Sequence, residues 1–203
     1  MNKRSERAIV AIYEGLFSLL SKESFDKITV REICKESNVN KMTFYKYHKD
    51  KYDALSKSFQ YLFSRDFHAT FGDDEALLSG VNDEDRVYRA ISYINSWCRE
   101  HGLQIHNVFT TQDGLPYDIV KAAVLNDYKK FVSEFLDPAI FPVAYEYVAT
   151  FVFAGYIGCI ERYLQKLRAG VELEAAEREL DTAAHFFAKG WVAVLRDYLK
   201  PAK

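Results

Sequence analysis

The residues whose types and spacing best suit chemistry lie between positions 29 and 47. Thr29-Val30-Arg31-Glu32 has the form of a capping box. A threonine oxygen accepts the third backbone N–H of a helix, and the glutamate three residues on reaches back to the cap. Ile33 and Cys34 supply the inward side of a short helix that ends near Ser37. Asn38 tolerates the left-handed backbone that stops a helix. Asn40 stands where an N-cap belongs, opening another short helix over 41–47. Two short helices joined by Asn38-Val39-Asn40 make a helix-turn-helix. In that motif the first helix braces, and the second lays its N-terminal side chains in the major groove of DNA. Lys41, Met42 and Thr43 begin the second helix. A lysine there donates to guanine O6 and N7, while Met42 and the Thr43 methyl suit a thymine methyl. The spacing alone equally suits any all-α protein with a tight turn between short helices.

No other set of residues competes as a reaction centre. The sequence shows no nucleophile–base pair, phosphate-binding loop or carboxylate dyad, so an enzyme is not expected. Cys34, Cys98 and Cys159 are odd in number, form no CxxC, and have no histidine pair at ligand spacing. They read as free thiols of a reducing cytosol. His101 and His106 straddle Gly102 and do not suggest a metal site. No cofactor is expected.

The elements that must position the motif read as helices throughout. Ile9, Ile12, Leu16 and Leu19 recur at helical spacing over 5–22. Asp50 can cap a longer helix over 51–71 with the stripe Leu55, Phe59, Leu62, Phe63 and Phe67. Breaks at Gly72–Glu75 and Ser79-Gly80 precede a helix over 83–101 that Gly102 ends. A short segment then carries Ile105, Val108 and Phe109. Asp113-Gly114-Leu115-Pro116 turns into a helix running to Phe135, with proline in its first turn. After Asp137-Pro138, a helix over about 143–167 closes at Ala169-Gly170, and a last one runs from Leu173 to Tyr198. The expected class is all-α, of about nine helices, with no strand.

The string Ser37-Asn-Val-Asn-Lys-Met-Thr43-Phe-Tyr45-Lys-Tyr47-His-Lys-Asp-Lys51-Tyr-Asp-Ala-Leu55, after Thr29-Val-Arg-Glu-Ile33, resembles the DNA-binding head of the tetracycline-repressor (TetR) family. The likeness covers about residues 5–56. Asn38 stands for the family's usual turn glycine, and His48 for its usual Phe or Tyr, which puts an imidazole at an aromatic core position. The resemblance implies a head over 1–56, a linker helix over 51–71, and a helical effector-binding and dimerisation body over 57–203. It implies that Arg31 reaches a base, that Tyr45, Tyr47 and Lys51 clamp phosphates, with Lys46 and Thr29 as further contacts, and that Phe44 is core.

It further implies a homodimer on a palindromic operator of double-stranded DNA, since such heads read half-sites about one DNA turn apart. Phe151–Leu164 resembles the penultimate helix of one TetR subgroup. Gly155 and Gly158 there, with Leu180, Phe187 and Trp191 on the last helix, are the expected dimer contacts. Trp97, Phe109, Tyr117, Tyr128, Phe131 and Phe151 are candidates to line a pocket for a small-molecule effector, although helically spaced aromatics also serve as core. The function implied is a repressor released by that effector. The alternative is a regulator of the same fold switched by a protein partner.

Composition agrees with this division. Of 203 residues, 49% are apolar and 28% charged, a globular rather than disordered balance. The net charge of −2 conceals an asymmetry: residues 1–60 hold 12 Lys and Arg against 8 Asp and Glu, and the rest hold 15 against 21. A basic head on an acidic body directs only the head toward phosphates. Glu14 interrupts the first apolar stretch, so no signal peptide is expected. The longest uncharged run, Tyr147–Ile160, is too short for a span of ~20 residues, so a cytoplasmic protein away from membranes is expected.

Overall fold

The computed structural model describes residues 3–71, 83–135 and 145–195. Nine helices and no strand occur among them: α1 (Lys3–Leu20), α2 (Val30–Glu36), α3 (Lys41–Tyr47), α4 (Lys51–Phe71), α5 (Asp83–Glu100), α6 (Gly102–Phe109), α7 (Leu115–Phe135), α8 (Tyr145–Arg168) and α9 (Leu173–Leu195). The expected all-α class is therefore observed. The breaks at 72–75 and 79–80, the connection at 137–138 and Tyr198 lie outside the described residues. Gly102 differs from expectation. It opens α6 one residue after His101, so the segment carrying Ile105 and Val108 is a helix in its own right. No helix among the described residues is long and apolar enough to cross a membrane.

The chain forms two compact units, one of residues 1–66 with 101–124 and one of 67–100 with 125–203. In the first unit α1 turns Ile12, Leu16 and Leu20 inward, each fully buried. Also buried in this unit are Ile33 of α2, Phe44 of α3, Leu55 and Phe59 of α4, Val108 of α6, and Phe25 and Ile28 from the α1–α2 loop. Burying each such side chain contributes about 1.5–3 kcal/mol. The tightest approach is between α1 and the end of α2. A Cβ added to buried Gly15 would stand 3.0 Å from both the backbone nitrogen and Cβ of Ser37. Glycine is required there because backbone, not a yielding side-chain tip, fills the space.

In the second unit α9 repeats Ala176, Leu180, Ala184, Ala188 and Val192 every four residues, all buried. Such an i, i+4 row is one ridge of a helix, and its alanines let a neighbour come close. The neighbours are α5 and α8. From α5 come buried Trp97 and Cys98, and from α8 come Phe153, Ile160 and Leu164. A polar network crosses this unit. The hydroxyl of Tyr156 bonds the Asn95 side-chain oxygen. Asn95 Nδ2 and Arg99 Nη1 both donate to Asp181 Oδ1, at 3.1 and 3.2 Å. Fully buried Asn95 is thereby satisfied, as a buried amide must be.

Candidate DNA interface

Local chemistry fixes both ends of α2. Thr29 is extended, and its Oγ1 accepts from Glu32 N at 3.3 Å. Glu32 Oε2 accepts in return from the Thr29 amide at 2.8 Å and the Thr29 hydroxyl at 2.7 Å. These bonds hold the Glu32 carboxyl below the usual carboxylate range. A phosphate bound by Thr29 would compete with Glu32, since both its protons are already donated. At the other end Asn38 takes φ +53°, the backbone the family's glycine would take, while Val39 N donates to Cys34 O at 2.9 Å. Asn40 then caps α3, its Oδ1 accepting from Thr43 N at 2.7 Å.

These caps set α3 with one side inward and the rest in solvent. Phe44 is fully buried and makes an edge contact with the exposed Tyr45 ring at 5.4 Å. Met42 is 81% exposed. Lys41, Lys46 and, on α2, Arg31 are exposed, while Thr43 and Tyr47 are half-buried. The Lys46 ammonium lies 5.3 Å from the Tyr47 ring centre. A hydrogen bond with the Ser5 side chain, aided by Lys46, lowers the Tyr47 phenol from its ordinary value.

Lys51 is placed differently. Its ammonium donates to the carbonyls of Phe25, Asp26 and Ile28 at 2.9, 3.3 and 2.9 Å. All three N–H bonds are thus directed at backbone carbonyls of the protein.

His48 occupies the aromatic core position that its place in the motif suggests. It is 2% exposed, 5.5 Å from the Tyr13 ring and 5.4 Å from Phe44. Neither ring nitrogen makes a hydrogen bond, and Nδ1 stands 3.4 Å from Asp53 Oδ2. That carboxylate is already held by Lys57 Nζ at 2.8 Å and by the Lys49 amide. Burial lowers the His48 pKa, the Lys57 charge adds to this, and Asp53 only partly opposes it. With the folded pKa below the unfolded value, the unfolded chain takes up the proton first as pH falls. Stability is full above the unfolded value of about 6.5 and declines below it, toward the folded pKa. We expect the melting temperature to fall between pH 7.5 and 5.5 in the natural protein and much less in His48→Phe. Equal falls in calorimetry would show that His48 is not responsible.

Four of the six aromatics considered for an effector pocket have described side chains. Phe109 and Tyr117 stack edge-on at 4.5 Å in the first unit. Trp97 is buried in the second unit, and Phe151 is 72% exposed there. The side chains of Tyr128 and Phe131 lie outside the described residues. Among the expected dimer contacts, Gly155 and Gly158 are open, with no atom within 4 Å of an added Cβ. Phe187 and Trp191 are half-buried, and Leu180, at 3%, packs inside its own unit. Sequence reasoning missed Tyr147 and Phe186, each 75% exposed. Phe186 carried a signal, because it falls midway between Ala184 and Ala188 of the inward row. Among the described residues no cluster of His, Cys, Asp and Glu could hold a metal.

Comparison with known proteins agrees with this geometry. Residues 12–55 match the family model "Bacterial regulatory proteins, tetR family". No curated protein matches the chain. A TetR-family transcriptional regulator from Syntrophomonas wolfei is similar in structure, with a TM-score of 0.64 over 94% of this chain and 97% of that one at 18% identity. A TetR regulator from Rhodococcus sp. RHA1 gives 0.62 over 92% and 97% at 15% identity. The fatty acid degradation regulator FadR from Bacillus halodurans gives 0.58 over 86% and 96% at 15% identity. At such identities the likeness concerns the fold, while the match at the head concerns the sequence itself. Residues 12–55 thus carry the helix-turn-helix head that the tetR family model describes, and the chain shares the fold of solved TetR-family regulators.

Proposed function

We propose that the protein is a dimeric repressor that binds a palindromic operator and is released from it by a small-molecule effector. The observation that carries the DNA-binding half is the outer side of α3, where Lys41, Met42 and Tyr45 stand in solvent beside a capped N-terminus. Lys41 donates to guanine, and Met42 and Thr43 cover a thymine methyl. Arg31 reaches an adjoining base. Tyr45, Lys46 and Tyr47 contact phosphates, which fix the register of the helix without reading sequence.

The second copy is supported by apolar surface on the second unit. Tyr147, Phe151, Gly155 and Gly158 share one exposed side of α8, and Phe186 and Gly190 lie exposed on α9. Phe151 meets Trp191 at 6.1 Å, so the two stripes adjoin. Three exposed aromatics beside open glycines suit close packing of helices about a two-fold axis. Effector control is a population shift in this reading, with the effector favouring a dimer whose heads are wrongly spaced. Its lever is α4, whose residues belong to both units.

The test is selection of an operator from random DNA, followed by gel-shift titration across salt concentrations. Lys46→Ala should weaken binding to all sequences and reduce the salt slope by about 1 per head. Lys41→Ala should cost about 1–3 kcal/mol at one guanine and relax the choice of base there. A selected site bound equally well by both variants, with slope and base choice unchanged, overturns the assignment.

A further inference from the structure

The loop between α1 and α2 is held from two sides. On one side the Lys51 ammonium collects the carbonyls of Phe25, Asp26 and Ile28. It lies 4.6 Å from the Phe25 ring centre and 5.7 Å from that of Tyr52, both attractive placements for a cation. On the other side Asn107 of α6 donates through Nδ2 to Leu20 O at 2.8 Å, and its carbonyl accepts from Phe25 N at 3.0 Å. Gln112 N adds a bond to Asp26 Oδ2 at 3.1 Å. Phe25 and Ile28 are fully buried, so the loop is pinned by its side chains as well. An ammonium has three protons and no acceptor, and here three carbonyls converge on it. Burial lowers its pKa, while Asp26, Asp113 and Glu32 favour the charged form.

The next residue after Ile28 is Thr29, the cap of α2. Whatever fixes the Ile28 carbonyl therefore fixes where α2 starts. Through the tight turn at Asn38 it also fixes where α3 presents Lys41, Met42 and Thr43. We propose that Lys51 serves DNA recognition as a positioning residue. It staples the α1–α2 loop by its backbone carbonyls instead of binding a phosphate, and Asn107 closes the same clasp from the other side. This rests on the DNA-binding reading given above.

The two roles predict different binding curves. A phosphate contact contributes to every DNA sequence and to the salt slope, about 0.9 per contact. A staple contributes only where the angle of α3 matters, at the operator. Lys51→Met retains most of the stem and removes the ammonium. Well below its melting temperature, we expect it to bind the operator roughly tenfold more weakly, the scale of one hydrogen bond to a charged group. Its binding to non-specific DNA and its salt slope should match the natural protein, and Asn107→Ala should show the same signature. A slope lowered by about 0.9 per head, with both affinities reduced, identifies a phosphate contact and overturns the proposal. So does an unchanged ratio of operator to non-specific affinity, which identifies a contribution to stability only. If the natural protein binds no DNA, it is the DNA reading that fails. The staple is then tested by hydrogen exchange in the DNA-free protein. The amides of Lys27, Ile28 and Thr29 should exchange faster in either variant, and unchanged protection overturns it.

Discussion

In the proposed dimer, replacing Phe151 and Phe186 together by glutamate should leave each chain folded but monomeric, with operator binding about 10²–10⁴-fold weaker. The rings are 72% and 75% exposed, so removing them costs a single chain almost no packing. Aromatics bury about 150–250 Å² each when covered. With Tyr147, six rings across a pair remove on the order of 1,000 Å² from water, the lower bound of a specific interface. Near the two-fold axis of the proposed dimer each glutamate would face its own copy, so the change adds like-charge repulsion to the lost area. Operator affinity falls with it, because two linked heads gain an effective concentration that one head lacks. Sedimentation of the variant, with gel shifts on full and half operators, measures both effects. A persistent dimer with undiminished operator binding would remove this surface from the interface.

Phe44→Ala should be the most damaging single change in the head, at about 3–5 kcal/mol. Phe44 is fully buried and joins α3 to the interior through His48. A loss of that size is a large share of the roughly 5–15 kcal/mol that holds a domain folded. Met42→Ala, two residues away and 81% exposed, should leave stability unchanged and alter only the base preference. Both tryptophans, Trp97 and Trp191, lie in the second unit, so their fluorescence does not report on the head. Calorimetry and hydrogen exchange of the α3 amides do. Equal stability losses in the two variants would contradict the orientation of α3.

The parts legible in the sequence are those fixed by neighbours a few residues apart. Thr29 with Glu32, Asn38 and Asn40 each act within four residues, and all three take the expected geometry. His48 was legible for a related reason, since its place in the motif is a core place whatever residue fills it. The staple at Lys51 was not legible. A lysine at the start of a helix suits a phosphate as well as three carbonyls, and no residue letter marks backbone carbonyls that converge across 23 to 26 positions. The outward Tyr147 and Phe186 were hidden because helical spacing shows which residues share a side, not whether that side is covered within the chain. The inclusion of α6 in the first unit depends on bonds such as Asn107 to Leu20, 87 residues apart, which no local pattern encodes.

The contact of Gly15 with Ser37 bears on how the proposed regulator would let go of DNA. A side chain on Gly15 would stand 3.0 Å from the Ser37 nitrogen, so the end of α2 lies against α1 with no room for one. The polar ties of Glu36 to Ser18 and Lys22 brace the same joint. The head is mechanically stiff at the point where a distortion of the reading helix would have to begin. In the proposed regulator a signal arriving there would move the head as a block. Release in the proposed dimer would then depend on the distance between two unchanged grips, and an isolated head should read its half-site alike whether or not the signal is present.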